Sequence, residues 1–146
     1  MASVAEVLRD KGSEVHAIEP TATVYDAVEK MVARNVGALL VVDGDVPVGI
    51  ITERDYLRHV VLEGRTSRET SVHEIMAKHV VCVDMECSLD KCMALMTERR
   101  VRHVVVVSKG LVAGIVSIGD AVKRLVVDQR VEIQYLTDYI RGYPAV

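Results

Sequence analysis

The amino-acid sequence predicts an α+β protein built from two tandem β-α-β-β-α repeats that pack about a pseudo-two-fold axis. The first observation is a duplication, because residues 15–56 align without a gap to residues 80–121 at an offset of 65. The second is that short runs of β-branched residues alternate with segments of helical spacing in each copy. The third is size, since a repeat of about 65 residues buries too little surface to be stable alone. We therefore expect the two copies to form one compact module.

Each copy begins with a short predicted strand, at residues 15–19 and 80–84. A helix follows, and Thr23 and Ser88 stand where its N-cap belongs. The second and third strands, joined by glycine-containing turns, are predicted at residues 38–42 and 48–52 of the first copy and 104–107 and 111–117 of the second. Another helix begins directly after the third strand and completes the unit.

The segments that precede the two copies also resemble each other, with SVAEVLRDK at the start of the chain and SVHEIMAKH before the second copy. Each contains a capping-box pattern, Ser3–Glu6 or Ser71–Glu74, that predicts a short helix. The predicted division along the chain is a first repeat with its N-terminal helix (1–65), a second repeat (66–127) and a helical extension (128–146).

Helical spacing in the extension predicts a long helix that ends at Gly142, with Pro144 just beyond it. Its apolar side carries Tyr135, Tyr139 and Tyr143. We expect this side to pack on a second subunit and form a homodimer; the alternative is that the helix folds back on its own chain.

Composition and charge exclude several classes of protein. A formal net charge of −3 and the lack of a basic stripe with aromatic residues argue against nucleic-acid binding. The N-terminus carries charges where a signal peptide needs an apolar run, and no uncharged apolar stretch approaches the ~18 residues of a membrane span. We therefore expect a cytoplasmic protein that does not bind membranes.

The three cysteines Cys82, Cys87 and Cys92 have no common metal-binding or redox spacing. In the alignment they fall on Ala17, Ala22 and Ala27, which predicts small buried packing residues. A redox role is the alternative, and Cys87 is the cysteine expected to be exposed because it precedes a helix.

One seven-residue pattern occurs at the end of the third strand in both copies. These heptads, residues 49–55 and 114–120, consist of glycine, two aliphatic residues, a hydroxyl residue, two variable residues and aspartate. The hydroxyl residue stands at a strand-to-helix junction, where free backbone N–H groups favour a phosphate. The aspartate is suited to accept hydrogen bonds from ribose hydroxyls, and the glycine leaves room for a flat base. The alternative is that Ser/Thr-x-x-Asp is only a helix cap.

These residues resemble the cystathionine-β-synthase (CBS) domain family in its paired arrangement, the Bateman module. The resemblance covers nearly the whole chain and rests on the Ser-Val-x-Glu openings, the buried strands and the two heptads. It implies a sensor module that binds AMP, ADP, ATP, NAD(H) or S-adenosylmethionine in a cleft between the repeats, signals to an effector protein and associates as a flat dimer. No catalytic cofactor or metal is implied, and no Ser-His-Asp set, metal-ligand cluster or P-loop predicts an enzyme. A thiol-redox or protein-interaction adaptor with vestigial pockets remains the alternative.

The resemblance also assigns ligand contacts residue by residue. Phosphate and ribose contacts fall on Thr52, Asp55, Ser117 and Asp120. The other heptad positions expected near the ligand are Gly49, Ile51, Arg54, Gly114, Val116 and Gly119. The segments that usually line the base pocket include Ile18, Pro20, Thr21 and Thr23 in the first copy and Val83, Met85 and Ser88 in the second.

The two copies differ in charge near the predicted pockets. Repeat two carries the basic stretch ERRVRH where repeat one has ARNVGA, and either Arg102 or His103 is expected to meet ligand phosphates. They are neighbours on a strand and should face opposite ways, so only one is expected to enter the pocket. Arg54 is the expected cation of the other pocket, where repeat two offers Gly119 and backbone N–H groups.

Overall fold

A computed structural model describes residues 2–12 and 14–128. They form two compact units: the first unit is Glu14–Val81, and the second unit combines residues 2–12 with residues 82–128. The predicted division placed the N-terminal helix with the first repeat, whereas in the structure this helix belongs to the unit of the second repeat. Most of the predicted C-terminal helix, including its three tyrosines, lies outside the described residues.

Both units have the predicted β-α-β-β-α order. The helices are α1 (Val4–Lys11), α2 (Val24–Arg34), α3 (Glu53–Tyr56, continued by a π-helical turn at Leu57–Val61), α4 (Val72–Ile75), α5 (Leu89–Arg99) and α6 (Ile118–Asp128). The strands are β1 (Ala17–Ile18), β2 (Ala38–Asp43), β3 (Val46–Thr52), β4 (Cys82–Asp84), β5 (His103–Ser108) and β6 (Leu111–Ser117). Each unit has one three-stranded sheet, β1-β2-β3 or β4-β5-β6, whose first pair is parallel and second pair antiparallel.

The central strand of each sheet forms the core, as its continuous apolar sequence predicts. Leu39 and Val41 of β2 and residues 104–106 of β5 are fully buried. The helix that covers each sheet begins at the predicted N-cap. Thr23 Oγ1 accepts from the backbone N–H of Asp26 at 3.1 Å, and Ser88 Oγ accepts from that of Lys91 at 3.1 Å.

Helices α1 and α4 occupy equivalent places in the two units, because each pairs with the start of the covering helix. In the second unit, the N–H of Val4 donates to the carbonyl of Cys87 at 2.9 Å, and a bridge joins Ser3 to Ser88. In the first unit, the N–H of Val72 donates to the carbonyl of Ala22 at 2.8 Å, with a bridge from Ser71 to Thr23. The repeated flanking segment is therefore a structural element of both units.

The two predicted capping boxes differ. At Ser71, the backbone N–H donates to Glu74 Oε2 at 2.6 Å, so the box at α4 is confirmed. At Ser3, Oγ accepts from the N–H of Glu6 at 3.4 Å, but the Glu6 carboxylate pairs with Arg124 at 3.2 Å. The predicted box at α1 is thus only half formed, since the Glu6 carboxylate lies against Arg124 and not against the N–H of Ser3.

The cysteines also depart from expectation. Cys92 is buried as predicted, but Cys82 is exposed and Cys87 is half-buried. The exposed position of Cys82 contradicts the prediction that all three are buried, and also the expectation that Cys87 is the most exposed. Among residues 2–12 and 14–128, no helix has the length and apolar character needed to cross a bilayer.

Candidate functional site

The first heptad ends in a complete capping box at the junction of β3 and α3. Asp55 Oδ2 accepts from the backbone N–H of Thr52 at 2.8 Å and from its hydroxyl at 3.0 Å. In return, the N–H of Asp55 donates to Thr52 Oγ1 at 3.3 Å. Cap formation, the alternative to a ligand site, is therefore present. These bonds use only Oδ2 of the carboxylate, which leaves Oδ1 available to a ligand hydroxyl.

The second heptad repeats this geometry at the junction of β6 and α6. The N–H of Ser117 donates to Asp120 Oδ2 at 2.9 Å, and the N–H of Asp120 donates to Ser117 Oγ at 3.1 Å. Here the carboxylate has an additional partner, because Lys11 Nζ lies 2.7 Å from Asp120 Oδ2. Lys11 comes from the last turn of α1 and also donates to the carbonyl of Ile115 at 2.8 Å.

The electrostatics of the second heptad depend on this cation. Burial of Asp120 opposes its ionisation, but the hydrogen bonds from Lys11 and Ser117 outweigh that effect and lower the pKa of the carboxyl. His103 is opposite Ser117 in the β5–β6 pairing, and its burial together with the nearby charge of Lys11 lowers its pKa. An acid, a lysine and a neutral imidazole therefore occur together around this heptad.

Both basic residues predicted to compete for this pocket lie beside the heptad, because His103 pairs with Ser117 and the backbone of Arg102 contacts Ile118. Which of the two meets a ligand phosphate stays a prediction. Arg102 is exposed, and its carbonyl accepts from the N–H of Ile118 at 2.9 Å. In the first unit Gly37 holds the position of Arg102, and Glu53 Oε1 would lie 2.7 Å from a Cβ placed on it. Arg54 is exposed and forms no ion pair within the described part of the chain, so its role as a pocket cation stays a prediction.

The structure gives the heptad glycines a role different from the predicted one. A Cβ on Gly114 would lie 2.6 Å from Leu8 Cδ2 of α1. A Cβ on Gly49 would lie 2.6 Å from the carbonyl oxygen of Ala77 and 2.8 Å from Met76 Sδ. The side of each strand toward which a Cβ would point is therefore filled by the flanking segment, and contact of either glycine with a ligand stays a prediction. Glycine is needed because α1, or the chain after α4, approaches the strand closely.

The aliphatic heptad positions also have a packing role. Ile51 and Val116 were predicted near the ligand, but both side chains are fully buried in the core. Val83, which was predicted to line the base pocket, is also buried, with 8% of its surface exposed.

The other predicted base-pocket residues lie on the loops after β1 and β4, except Ile18, which ends β1. The flanking helices contact these loops: the carbonyl of Pro20 accepts from the N–H of His73 at 3.0 Å, and that of Met85 accepts from the N–H of Ala5 at 3.2 Å. Ile18, Thr21, Thr23 and Ser88 are half-buried or exposed, and the contact of all these residues with a ligand stays a prediction.

One groove in the first unit lies away from the heptad. It has a volume of about 640 Å³ and runs between β1 and α2. Its lining consists of Ala17, Ile18, Glu19, Ala22, Asp26, Glu29, Lys30, Ala33 and Arg34. Three of these residues, Ile18, Glu19 and Ala22, belong to the segment 18–23 that was expected to line the base pocket, whereas no heptad residue lines the groove.

Lys11 is the site residue that sequence reasoning missed. At the end of a short amphipathic helix, a lysine usually interacts with solvent and the helix dipole. The signal that could have identified it is the change of offset from 65 to 68 between the repeats and their flanking segments. The spacing from Ser3 to Val15 is three residues longer than that from Ser71 to Val80, so the two flanking helices need not have the same length.

Comparison with known proteins agrees with this architecture. The sequence model of the CBS domain family matches residues 4–62 and 72–127 of this chain. A CBS domain-containing mitochondrial protein of Arabidopsis thaliana, CBSX3, is 40% identical over 96% of this chain and 72% of its own length. A solved CBS-domain protein of Burkholderia ambifaria is 47% identical, with a TM-score of 0.85 over 90% of this chain and 99% of its own.

A more distant structure shares the fold. The CBS domain protein PAE2072 of Pyrobaculum aerophilum, solved in complex with AMP, is 24% identical, with a TM-score of 0.72 over 81% of this chain and 88% of its own. The family model matches two repeats, each unit has one three-stranded sheet, and each copy has a Gly-to-Asp heptad. This chain therefore belongs to the CBS domain family.

Proposed function

We propose that this protein is a non-catalytic regulatory module that binds adenosine-containing ligands at its two heptads and signals their presence to a partner protein. The observation that carries the proposal is the doubled strand-to-helix junction, where a hydroxyl residue and an aspartate form the same box at Thr52–Asp55 and Ser117–Asp120. That a CBS-domain protein of the same fold binds AMP supports an adenosine nucleotide as the ligand.

The chemistry of the junction fits such a ligand. Helix α6 begins at Ile118, whose N–H donates to the Arg102 carbonyl, and the N–H of Asp120 donates to Ser117 Oγ. Within the described residues the N–H of Gly119 therefore remains for a phosphate, together with the positive end of the helix dipole. At both heptads the cap uses Oδ2 of the aspartate, and the second carboxylate oxygen is available to ribose hydroxyls. Cap and ligand contact are therefore compatible at one aspartate.

The proposal is tested by thermal unfolding with AMP, ADP, ATP, NADH, S-adenosylmethionine and adenosine, each at millimolar concentration. A ligand at 100 times its Kd stabilises the fold by ~2.7 kcal/mol. For a chain of this size we expect a rise in Tm of about 5–11 °C. If none of the compounds moves the Tm, the proposal is wrong.

Site variants connect this binding to the heptads. Asp55→Asn and Asp120→Asn each keep an oxygen for the cap but remove the charge, and each should cost ~1.5–3 kcal/mol of binding free energy at its own heptad. Glu74→Gln is the matched control, because Glu74 forms the same kind of box with Ser71 outside the heptads and the predicted base-pocket segments. A loss of binding in Glu74→Gln equal to that in the heptad variants would show that the effect is structural.

The thiol-redox alternative is less well supported. Burial raises the pKa of the Cys92 thiol to about 11 and also raises the pKa values of Cys82 and Cys87. Because the thiolate is the reactive form, all three cysteines should react slowly near neutral pH. Homodimer formation, the effector protein and a cytoplasmic location stay predictions; the relative CBSX3 is named as mitochondrial.

A further inference from the structure

We propose that Lys11 determines ligand specificity at the second heptad, where its ammonium group makes the site select adenosine ligands that carry a phosphate. This inference rests on the proposed function and adds a residue from outside the heptad to the site.

The position of the ammonium group is the first argument. Lys11 Nζ donates to Asp120 Oδ2 at 2.7 Å and to the carbonyl of Ile115 at 2.8 Å. These bonds use two of its three hydrogens, and the side chain remains 35% exposed. Among the residues that the structure describes no third acceptor contacts this group, so one hydrogen can be donated to an incoming anion. Because the ion pair offsets the Asp120 carboxylate, a phosphate beside it would not meet a net negative charge.

The first heptad supplies the contrast. Asp55 has the same capping bonds as Asp120, but it forms no ion pair with any of the residues that the structure describes. The heptad of repeat one carries its own cation, Arg54, where repeat two has Gly119. Lys11 therefore brings to the second heptad a charge that its sequence lacks.

A difference in length explains why only α1 supplies this cation. Helix α1 has eight residues and α4 has four, although their sequences align from Ser3 and Ser71 onward. The counterpart of Lys11 is His79, which lies beyond the end of α4. Before it, Ala77 already pairs with Ile50 of β3.

Helix α1 is also anchored in the second unit by ion pairs. Arg124 of α6 lies 2.6 Å from Asp10 Oδ2 and 3.2 Å from Glu6 Oε2. The counterpart of Arg124 in repeat one is His59, whose ring contacts Glu63 instead. These contacts hold the last turn of α1 over the heptad, so Lys11 is positioned before a ligand arrives.

Calorimetric titration in the Asp55→Asn background isolates the second heptad, with AMP and adenosine as the probes. Lys11→Met keeps the aliphatic stem but removes the charge, and it should weaken AMP binding about 10- to 100-fold while adenosine binding changes less than about threefold. Lys11→Arg restores a cation and should retain AMP binding within about fivefold. Lys123→Met, on the exposed surface of α6, removes the same charge elsewhere and should leave both affinities unchanged.

The outcomes separate the two proposals. AMP and adenosine can both bind while Lys11→Met weakens the two affinities equally or leaves both unchanged. In that case the specificity role of Lys11 is refuted and the proposed function stands. If Lys123→Met reproduces the effect, net charge rather than position explains it, and the inference again fails. If the chain binds neither probe, the proposed function and the role of Lys11 fail together. Circular dichroism of each variant confirms that it is folded.

Discussion

The close approach of α1 to β6 can be tested by adding one methyl group at Gly114. Its Cβ would lie 2.6 Å from Leu8 Cδ2 and 2.9 Å from Leu8 Cδ1, which is closer than carbon atoms pack. Gly114→Ala therefore forces Leu8 or the whole of α1 to move. Overpacking of this kind costs about 1–3 kcal/mol of the free energy of unfolding.

The clash is with a side chain, so it can be relieved by a second substitution. Leu8 is 4% exposed, and Leu8→Ala alone should cost about 2–5 kcal/mol because it leaves a cavity. In that background the methyl group of Gly114→Ala enters the vacated space. We expect the second substitution to be nearly neutral there, with a coupling energy of about 1–3 kcal/mol between the two positions.

Urea unfolding of the two single variants and the double variant measures this coupling by linear extrapolation. Gly119→Ala is the matched control, because a Cβ there would meet nothing closer than Ser117 Oγ at 3.6 Å. It should be neutral, or stabilise α6 by up to about 1 kcal/mol. If Gly114→Ala destabilises equally with and without Leu8, the two residues do not meet and the proposed packing of α1 is wrong.

Three further predictions concern the titration of two side chains and the exposure of the cysteine thiols. Because Asp120 has a lowered pKa, its stabilising effect is present above pH 3.8 and is lost as the pH falls through its folded pKa. The free energy of unfolding, measured with urea, should therefore depend less on pH in that range in Asp120→Asn than in the unchanged protein. His103, with Lys11, Asp120 and Arg102 as nearby charges, should titrate below pH 6.5 by NMR. AMP should raise the pKa of His103, and a pKa that AMP leaves unchanged would place the phosphate elsewhere. In a thiol-labelling assay the exposed Cys82 should react before Cys92, and the opposite order would contradict the burial of Cys92.

Local features of the fold could be predicted from the sequence because they depend on residues close together in the chain. Strand β6 has the bounds that its pattern predicted, since a Lys-Gly turn precedes it and the heptad hydroxyl Ser117 ends it. The N-caps Thr23 and Ser88 form as expected for the same reason. The heptads were also located correctly, although their glycines have a packing role that the alignment did not reveal.

Contacts between distant segments could not be predicted in this way. The capping pattern of Ser3 and Glu6 resembles that of Ser71 and Glu74, but only the structure shows that Arg124 takes the Glu6 carboxylate. Nothing near Lys11 in the sequence indicates that its partner is 109 residues away. A local pattern shows that a helix forms and which of its sides is apolar, but not which sheet receives it.

The exchange of flanking helices explains how two nearly identical heptads come to have different electrostatic surroundings. The segment before the first repeat belongs to the unit of the second, whereas α4, before the second repeat, packs in the unit of the first. Helix α1 and the chain just after α4 each meet the glycine of a heptad, so glycine is needed in both copies for the same steric reason. Only α1 is long enough to bring a lysine to the aspartate. The duplicated motif therefore supplies a common cap and a common acceptor, while the flanking helix determines the charge at each heptad.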